Sequence, residues 1–236
     1  MSFRGRAWRA WYRARWLAWD RRQMARERRR RVAGIDVVVL PGVLDPSVFF
    51  SSEVLVGAVR LAVTPGEDVL DLGTGTGIAA IAAAEAGAAR VIAVDVDPIA
   101  VDCARRNVDS RGLGARIEVR AGDLFEPVAG ERFDLVAFNP PYLRLGKADR
   151  ARAASAGLGR ALDAPTDLAA RFAVALPGHL TLDGAAMIVL STAGDPEAWL
   201  APLRANGFEV TPTIERARGA ERLTAYRCRL HDSRPI

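Results

Sequence analysis

The sequence predicts an α/β fold: a mostly parallel sheet with helices on both faces. Three observations point there. Short apolar runs alternate with helical stretches along most of the chain. A glycine-rich turn, Gly73-Thr74-Gly75-Thr76-Gly77, stands straight after one apolar run and straight before a helix. The last two β-rich runs, 208–216 and 223–230, are joined with no helix between them, which predicts a closing hairpin.

The elements follow in order. A β-rich stretch at 35–40 comes after Gly34, and Pro41-Gly42 turns the chain. Pro46 precedes a helix expected at about 47–62, and Pro65-Gly66 breaks it. Val69-Leu70-Asp71-Leu72 reads as a buried strand, and the glycine turn leads from it into a helix at 78–85. A strand at 91–94 and a helix at 98–107 come next, with Asp97 before Pro98 as the expected N-cap and Asn107 as the expected C-cap. Further strands are expected at 117–120, 135–138 and 186–191, and helices near 163–176 and 196–206. No shift in composition follows residue 35, so the chain divides into one domain, 35–236, and an appendage, 1–34.

Composition bounds the function classes. Of 236 residues, 50% are hydrophobic and 26% charged, which excludes wholesale disorder and collagen. Two cysteines, Cys103 and Cys228, exclude a disulfide framework and a four-cysteine zinc site, and both read as core residues. His179 and His231 lie far apart in sequence, so no metal is implied; His179 reads as a helix-end residue. The longest apolar run, 78–94, is broken by Glu85 and Arg90 and falls short of the ~20 residues of a membrane span. No apolar signal core opens the chain. A cytoplasmic protein with reduced thiols is expected.

The charge is unevenly placed. Lys and Arg total 33 against 28 Asp and Glu, a net of +5. Residues 1–31 hold 12 arginines against one Asp and one Glu, so the remainder is net acidic. In the same segment Trp8, Trp11, Tyr12, Trp16 and Trp19 recur at three-to-four-residue spacing, the mark of one helix face. Arg4, Arg15, Arg22 and Arg26 project onto or beside that face. The expectation is a basic amphipathic helix. Arginine beside aromatic rings suits nucleic acid or the ribosome, a membrane surface, or packing on the acidic domain or a second subunit.

Four signals carry chemistry. The glycine turn follows Asp71, an acid at a strand end; a pyrophosphate disfavours it there, while a cationic amino-acid group favours it. The dinucleotide fingerprint wants a small residue where Ile78 stands, which argues against a nicotinamide enzyme. Asp95, followed by Val96, ends the next strand and can accept hydrogen bonds from both ribose hydroxyls. Asp123-Leu124 follows the strand after that. Three acids at three successive strand ends line one crevice, suited to an adenosine-plus-amino-acid ligand. The fourth signal is Asn139-Pro140-Pro141-Tyr142, after the strand at 135–138. Two prolines stiffen the backbone and remove N–H donors. The Asn139 side-chain oxygen and the Pro140 carbonyl can then accept both hydrogens of a planar NH₂, with Tyr142 stacked on the acceptor.

These residues resemble the class I S-adenosylmethionine (SAM) methyltransferases whose catalytic tetrapeptide is Asn-Pro-Pro-Tyr. The similarity covers about residues 40–230 and implies a Rossmann-like seven-stranded sheet. It implies Asp71 near the cofactor's ammonium, Gly73, Thr74, Gly75 and Gly77 under its methionine part, and Asp95 with Val96 at the ribose. It further implies Asp123 and Leu124 at the adenine, and Asn139 to Tyr142 at the acceptor. The lead-in from Leu40 to Ser52 resembles the segment that covers SAM, making Phe50 a candidate cofactor wall. Within that branch the chain is most similar to the HemK-like, release-factor glutamine methyltransferases, and 156–160 loosely matches a glycine-rich segment found there. The chain departs from that group in having a single Arg/Trp helix in place of a larger helical N-terminal domain, and in lacking the acid of the later glycine segment. The expected function is N-methylation of a planar amide or amine, with a protein glutamine as acceptor. The alternatives are an rRNA or tRNA base, or a non-catalytic RNA-binding module with a SAM-like pocket.

Overall fold

The computed structural model describes residues 26–48, 50–143, 150–151, 159–162 and 165–231. The tryptophan-bearing part of the expected basic helix and residues 156–158 of the glycine segment lie outside the described residues.

The described end of the appendage is not helical. Arg28–Val32 forms β1, paired antiparallel with β2, Ile35–Val39. Ala33 and Gly34 have φ of 49° and 84°, the two-residue turn whose twist matches a hairpin. Ile35, Val37 and Val39 alternate into the core. On β1 it is Arg28 and Arg30 that alternate inward, toward the fully buried Asp45. The Asp45 Oδ2 lies 3.5 Å from Arg28 Nη1 and accepts from Arg30 Nε at 2.8 Å. A run of arginines becomes a strand here because alternate members share one buried carboxylate, so the appendage boundary at residue 34 cuts through a folded ribbon.

The main sheet has seven strands in the order β5-β4-β3-β6-β7-β9-β8. These are β3 (Asp68–Leu72), β4 (Arg90–Asp95), β5 (Ile117–Ala121), β6 (Phe133–Phe138), β7 (Leu180–Ser191), β8 (Phe208–Arg218) and β9 (Glu221–Leu230). β3 to β7 run parallel, and β9 is antiparallel to both of its neighbours, forming the expected hairpin with β8. The chain builds outward from β3 to β5, then returns to β6 on the other side of β3. That reversal opens a crevice at the strand C-termini.

Helix α1 spans Ser51–Ala62, starting later than expected. Ser47 instead donates backbone and side-chain hydrogen bonds to Asp45 Oδ1, at 3.0 and 2.6 Å, which holds the preceding residues in a turn. Helix α2, Ile78–Glu85, is buried on all sides through Ala84; its alanines allow close packing between sheet and α1. Helix α3, Pro98–Ser110, is capped by Asp97, whose Oδ1 accepts from the Ile99 N–H at 2.9 Å. Asn107 is not a C-cap: it lies inside α3 and buried. Its Oδ1 accepts from Val38 N at 2.7 Å, and its Nδ2 donates to Val38 and Thr76 carbonyls at 2.8 and 2.9 Å. A primary amide can satisfy both groups of a β2 residue and still reach the glycine turn.

After the one-turn α4 (Gly159–Leu162), α5 (Leu168–Ala175) and α6 (Glu197–Ala205) pack on each other. Phe138 of β6, Phe172 of α5 and Trp199 of α6 meet with ring centroids 5.2 to 6.3 Å apart. His179 ends a 3₁₀ turn and stacks on Phe125 at 4.5 Å. Cys103 and Cys228 are buried, and burial pushes their thiols up to about 11 and about 12, as inert core residues. Among the described residues no helix is long and apolar enough to cross a membrane.

Candidate active site

The strand ends at the crevice are stitched to one another before any ligand is considered. Asp71 ends β3 and is buried. Its Oδ2 accepts from the Thr74 hydroxyl at 2.6 Å and the Ala80 N–H at 3.1 Å, tying strand, turn and the first turn of α2 together. Burial still pushes the Asp71 carboxyl up to about 7. The turn is fastened to β4 as well: Thr74 N donates to the Val94 carbonyl at 3.0 Å, and Gly75 N to Asp95 Oδ2 at 2.9 Å. Asp95 Oδ1 accepts from Asp97 N at 3.0 Å. Burial raises the Asp95 carboxyl above its ordinary value.

The end of β5 follows the same logic. Gly122 N donates to the Asp95 carbonyl at 3.0 Å. A Cβ on Gly122 would stand 2.3 Å from Pro127 Cγ, so no side chain fits there. Leu124 takes a left-handed φ of 48°, a strained backbone for a branched residue. Asp123 is held by Arg171 of α5 at 2.5 Å.

β6 delivers Asn139. Its Nδ2 donates to Ser51 Oγ at 3.1 Å across 88 residues of sequence. Its Oδ1 is buried with no hydrogen-bond partner. A buried amide oxygen left open is costly unless a ligand supplies the donor.

A cavity of about 990 Å³ lies over these strand ends. Asp71, Gly73, Thr74, Gly75, Asp95, Val96, Asp123, Leu124, Asn139 and Pro141 all line it. The structure thus gathers most of the residues singled out from the sequence at one crevice. Four stand elsewhere. Pro140 does not line the cavity. Gly77 sets helix packing: a Cβ there would meet Ala104 of α3 at 3.3 Å. Tyr142 is turned inward and buried, its hydroxyl toward Ser51, so its ring packs in the core rather than facing an acceptor. Phe50 lines a separate groove with Glu53, Gly57, Ile214 and Arg218, whose guanidinium lies 6.0 Å from the Phe50 ring centre. The reason is helical phase. Ser52 and Leu55 of α1 face the cavity, while Phe50, Glu53 and Gly57 face the groove.

The cavity also has a wall that the sequence reading named only as a lead-in: Gly42, Val43, Leu44 and Pro46. Ser51, in the same lead-in, carried no signal of its own, since its partner Asn139 is distant in the chain. The lining fits an adenosine-plus-amino-acid ligand. Its volume is in the range of small-molecule sites, about 300–1,000 Å³. Asp95 retains acceptor capacity for a diol, Val96 and Leu124 present apolar surface to a flat heterocycle, and Asp71 gains its charge readily only beside a cation.

Comparison with known proteins agrees with this geometry. A family model for ribosomal protein L11 methyltransferase (PrmA) matches residues 54–139. A relative from Methanocaldococcus jannaschii, named as a protein N5-glutamine methyltransferase, is 31% identical over 182 residues, 76% of this chain and 87% of that protein. The release factor glutamine methyltransferase of Xylella fastidiosa (strain Temecula1) is 34% identical over 210 residues, 85% of this chain and 74% of the relative. Against the ribosomal protein L11 methyltransferase of an Exiguobacterium species, the match is 41% over 102 residues and spans only 32% of that protein's length. Among solved structures, the T. thermophilus 16S rRNA N2 G1207 methyltransferase (RsmC), in complex with AdoMet and guanosine, aligns with a TM-score of 0.63 at 21% identity. That alignment covers 87% of this chain and 50% of the other, a likeness of fold.

Proposed function

Because the chain belongs to the SAM-dependent protein N5-glutamine methyltransferase (HemK-like) family, we propose that it methylates the side-chain amide nitrogen of a glutamine in a protein. The observation that carries this reading is the buried, unpartnered Oδ1 of Asn139 at the wall of the cavity.

SAM, when bound, supplies an electrophilic methyl group on a sulfonium. The chain does the rest. Asp95 would accept hydrogen bonds from the ribose, and Leu124, Val96 and Asp123 would hold the adenine end. Asp71, through its carboxylate, favours the ammonium of the amino-acid part, and the 73–77 turn supports that part from below. Asn139 Oδ1 accepts a hydrogen bond from the acceptor NH₂. An amide nitrogen is a poor nucleophile because its lone pair is delocalised. An acceptor facing it shifts electron density onto nitrogen and stabilises the positive charge that grows there. The same contact helps to hold the nitrogen in line for attack. The proton leaves after attack, so no strong base is needed.

The test uses SAM carrying an isotopic methyl group, with a release factor, ribosomal protein L11 and ribosomal RNA offered separately. Label recovered as N5-methylglutamine in a protein supports the proposal. Label confined to RNA replaces it with base methylation, and RNA retention with no SAM binding replaces it with the non-catalytic reading. For residues 1–25 the proposed role is contact with an anionic partner such as the ribosome. Arginine next to tryptophan supports it, and salt-sensitive RNA retention lost on deleting 1–25 tests it.

A further inference from the structure

We infer that Ser51 is a positioning residue that sets which end of the Asn139 amide faces the acceptor. This deepens the proposed methyl transfer and rests on it.

A serine at the N-cap position turns its hydroxyl back to a backbone N–H. Ser51 stands one position later, as the first residue of α1 after the N-cap residue Phe50. Its hydroxyl is used otherwise. Ser51 is 2% exposed, and its Oγ accepts from Asn139 Nδ2 at 3.1 Å. The Tyr142 hydroxyl faces the same serine. One hydroxyl therefore sits between two members of the tetrapeptide that follows β6.

The consequence lies in the symmetry of an amide. The terminal torsion of asparagine is roughly two-fold, so the oxygen and the NH₂ exchange places at little intrinsic cost. One orientation presents an acceptor to the substrate nitrogen; the other presents a donor to a donor and repels it. Ser51 Oγ takes the nitrogen end, with the Tyr142 hydroxyl on its other side, and the oxygen end is the buried atom left without a partner. Tyr142 supports Ser51 in turn, which gives its inward-facing hydroxyl a role that stacking on the acceptor does not supply.

The test compares Ser51→Ala and Ser51→Thr in wild-type and Asn139→Ala backgrounds. Turnover, SAM affinity by calorimetry and the Asn139 side-chain NH₂ resonances in ¹⁵N-labelled protein are followed. Ser51→Ala is expected to lower kcat roughly 10-fold or more with SAM affinity within about 2-fold, and Ser51→Thr to recover most of the loss. In the Asn139→Ala background the Ser51 change is expected to cost less than about 2-fold, since both act through one group. The Asn139 NH₂ resonances are expected to shift and exchange faster in Ser51→Ala. Unmoved resonances, or a full additive loss without Asn139, overturn the inference. If Asn139→Ala itself leaves turnover intact, the functional reading fails, and the resonances still decide the orientation. Should Ser51→Ala not fold, Ser51→Cys, near in size but a weak acceptor, carries the same comparison.

Discussion

Asn139 and Asp95 divide the work at the level of single side chains, and their losses should separate cleanly. Asn139→Ala removes an acceptor that matters only once the acceptor nitrogen begins to gain charge. Steady-state kinetics should show turnover lowered at least ~100-fold with calorimetric SAM affinity near wild type. Asp95→Ala should do the reverse and weaken SAM binding first; unchanged affinity would remove it from the site. Asp71 adds a pH dependence. Its carboxyl titrates near 3.8 in an unfolded chain and at about 7 when buried in the fold. The folded state keeps a proton that the unfolded chain has lost, so this contribution to stability is whole below about 4 and gone above about 7. Melting temperature without SAM is expected to fall by roughly 5–10 °C across that window, and Asp71→Asn to flatten the curve. Differential scanning fluorimetry at several pH values checks both. Bound SAM, with its cation near the carboxylate, should also flatten it.

Elements carry information that single residues do not, and they show what was legible in advance. The strands and the glycine turn were readable because a buried parallel strand is a short apolar run, and an acid at its end marks where it leaves the sheet. Asp71, Asp95 and Asp123 were found that way. Phe50 was misplaced because a likeness to a covering lead-in does not fix which way each side chain points, and successive positions at a helix start point about 100° apart. β1 was read as helix because the helical spacing of the aromatic residues before it was carried on to residue 34, and nothing local announces that Asp45 waits inside the fold. Asn107 and Ser51 were beyond reach for a related reason: their partners are remote in sequence. The Asn107 amide joins β2 to the glycine turn through three hydrogen bonds. Asn107→Ala leaves the half-buried Val38 N–H without this partner and the Val38 carbonyl with only the Cys103 thiol, at 3.3 Å. A loss of about 2–4 kcal/mol is expected, checked by urea unfolding, with SAM affinity falling alongside because the turn loosens.

At the scale of the whole molecule, charge and fold are separated along the chain, but not at the residue where charge alone places the border. Deleting 1–31 removes most of β1, and with it Arg28 and Arg30, the partners of buried Asp45. Deleting 1–25 leaves the ribbon whole. The shorter deletion is therefore expected to keep its melting temperature within about 2 °C and its SAM affinity intact. The longer one should lose stability, because an unpaired buried carboxylate is among the costliest defects a fold can carry. Comparing the two by thermal melts and calorimetry separates anchoring from recruitment.

The register irregularity between Pro212 and Ile214, near the middle of β8, has a consequence for how the molecule behaves in a crowd. β8 is one rim of the sheet, and a straight rim is a template on which another chain can zip. Pro212 offers no amide hydrogen, and the slipped register spoils the repeat that a stacking copy must match. Arg216 and Arg218, near the tip, add like charge to any rim-to-rim approach. Resistance to edge-to-edge stacking is thus written into this outer strand, and smoothing it with Pro212→Val should make concentrated solutions turn cloudy before catalysis suffers.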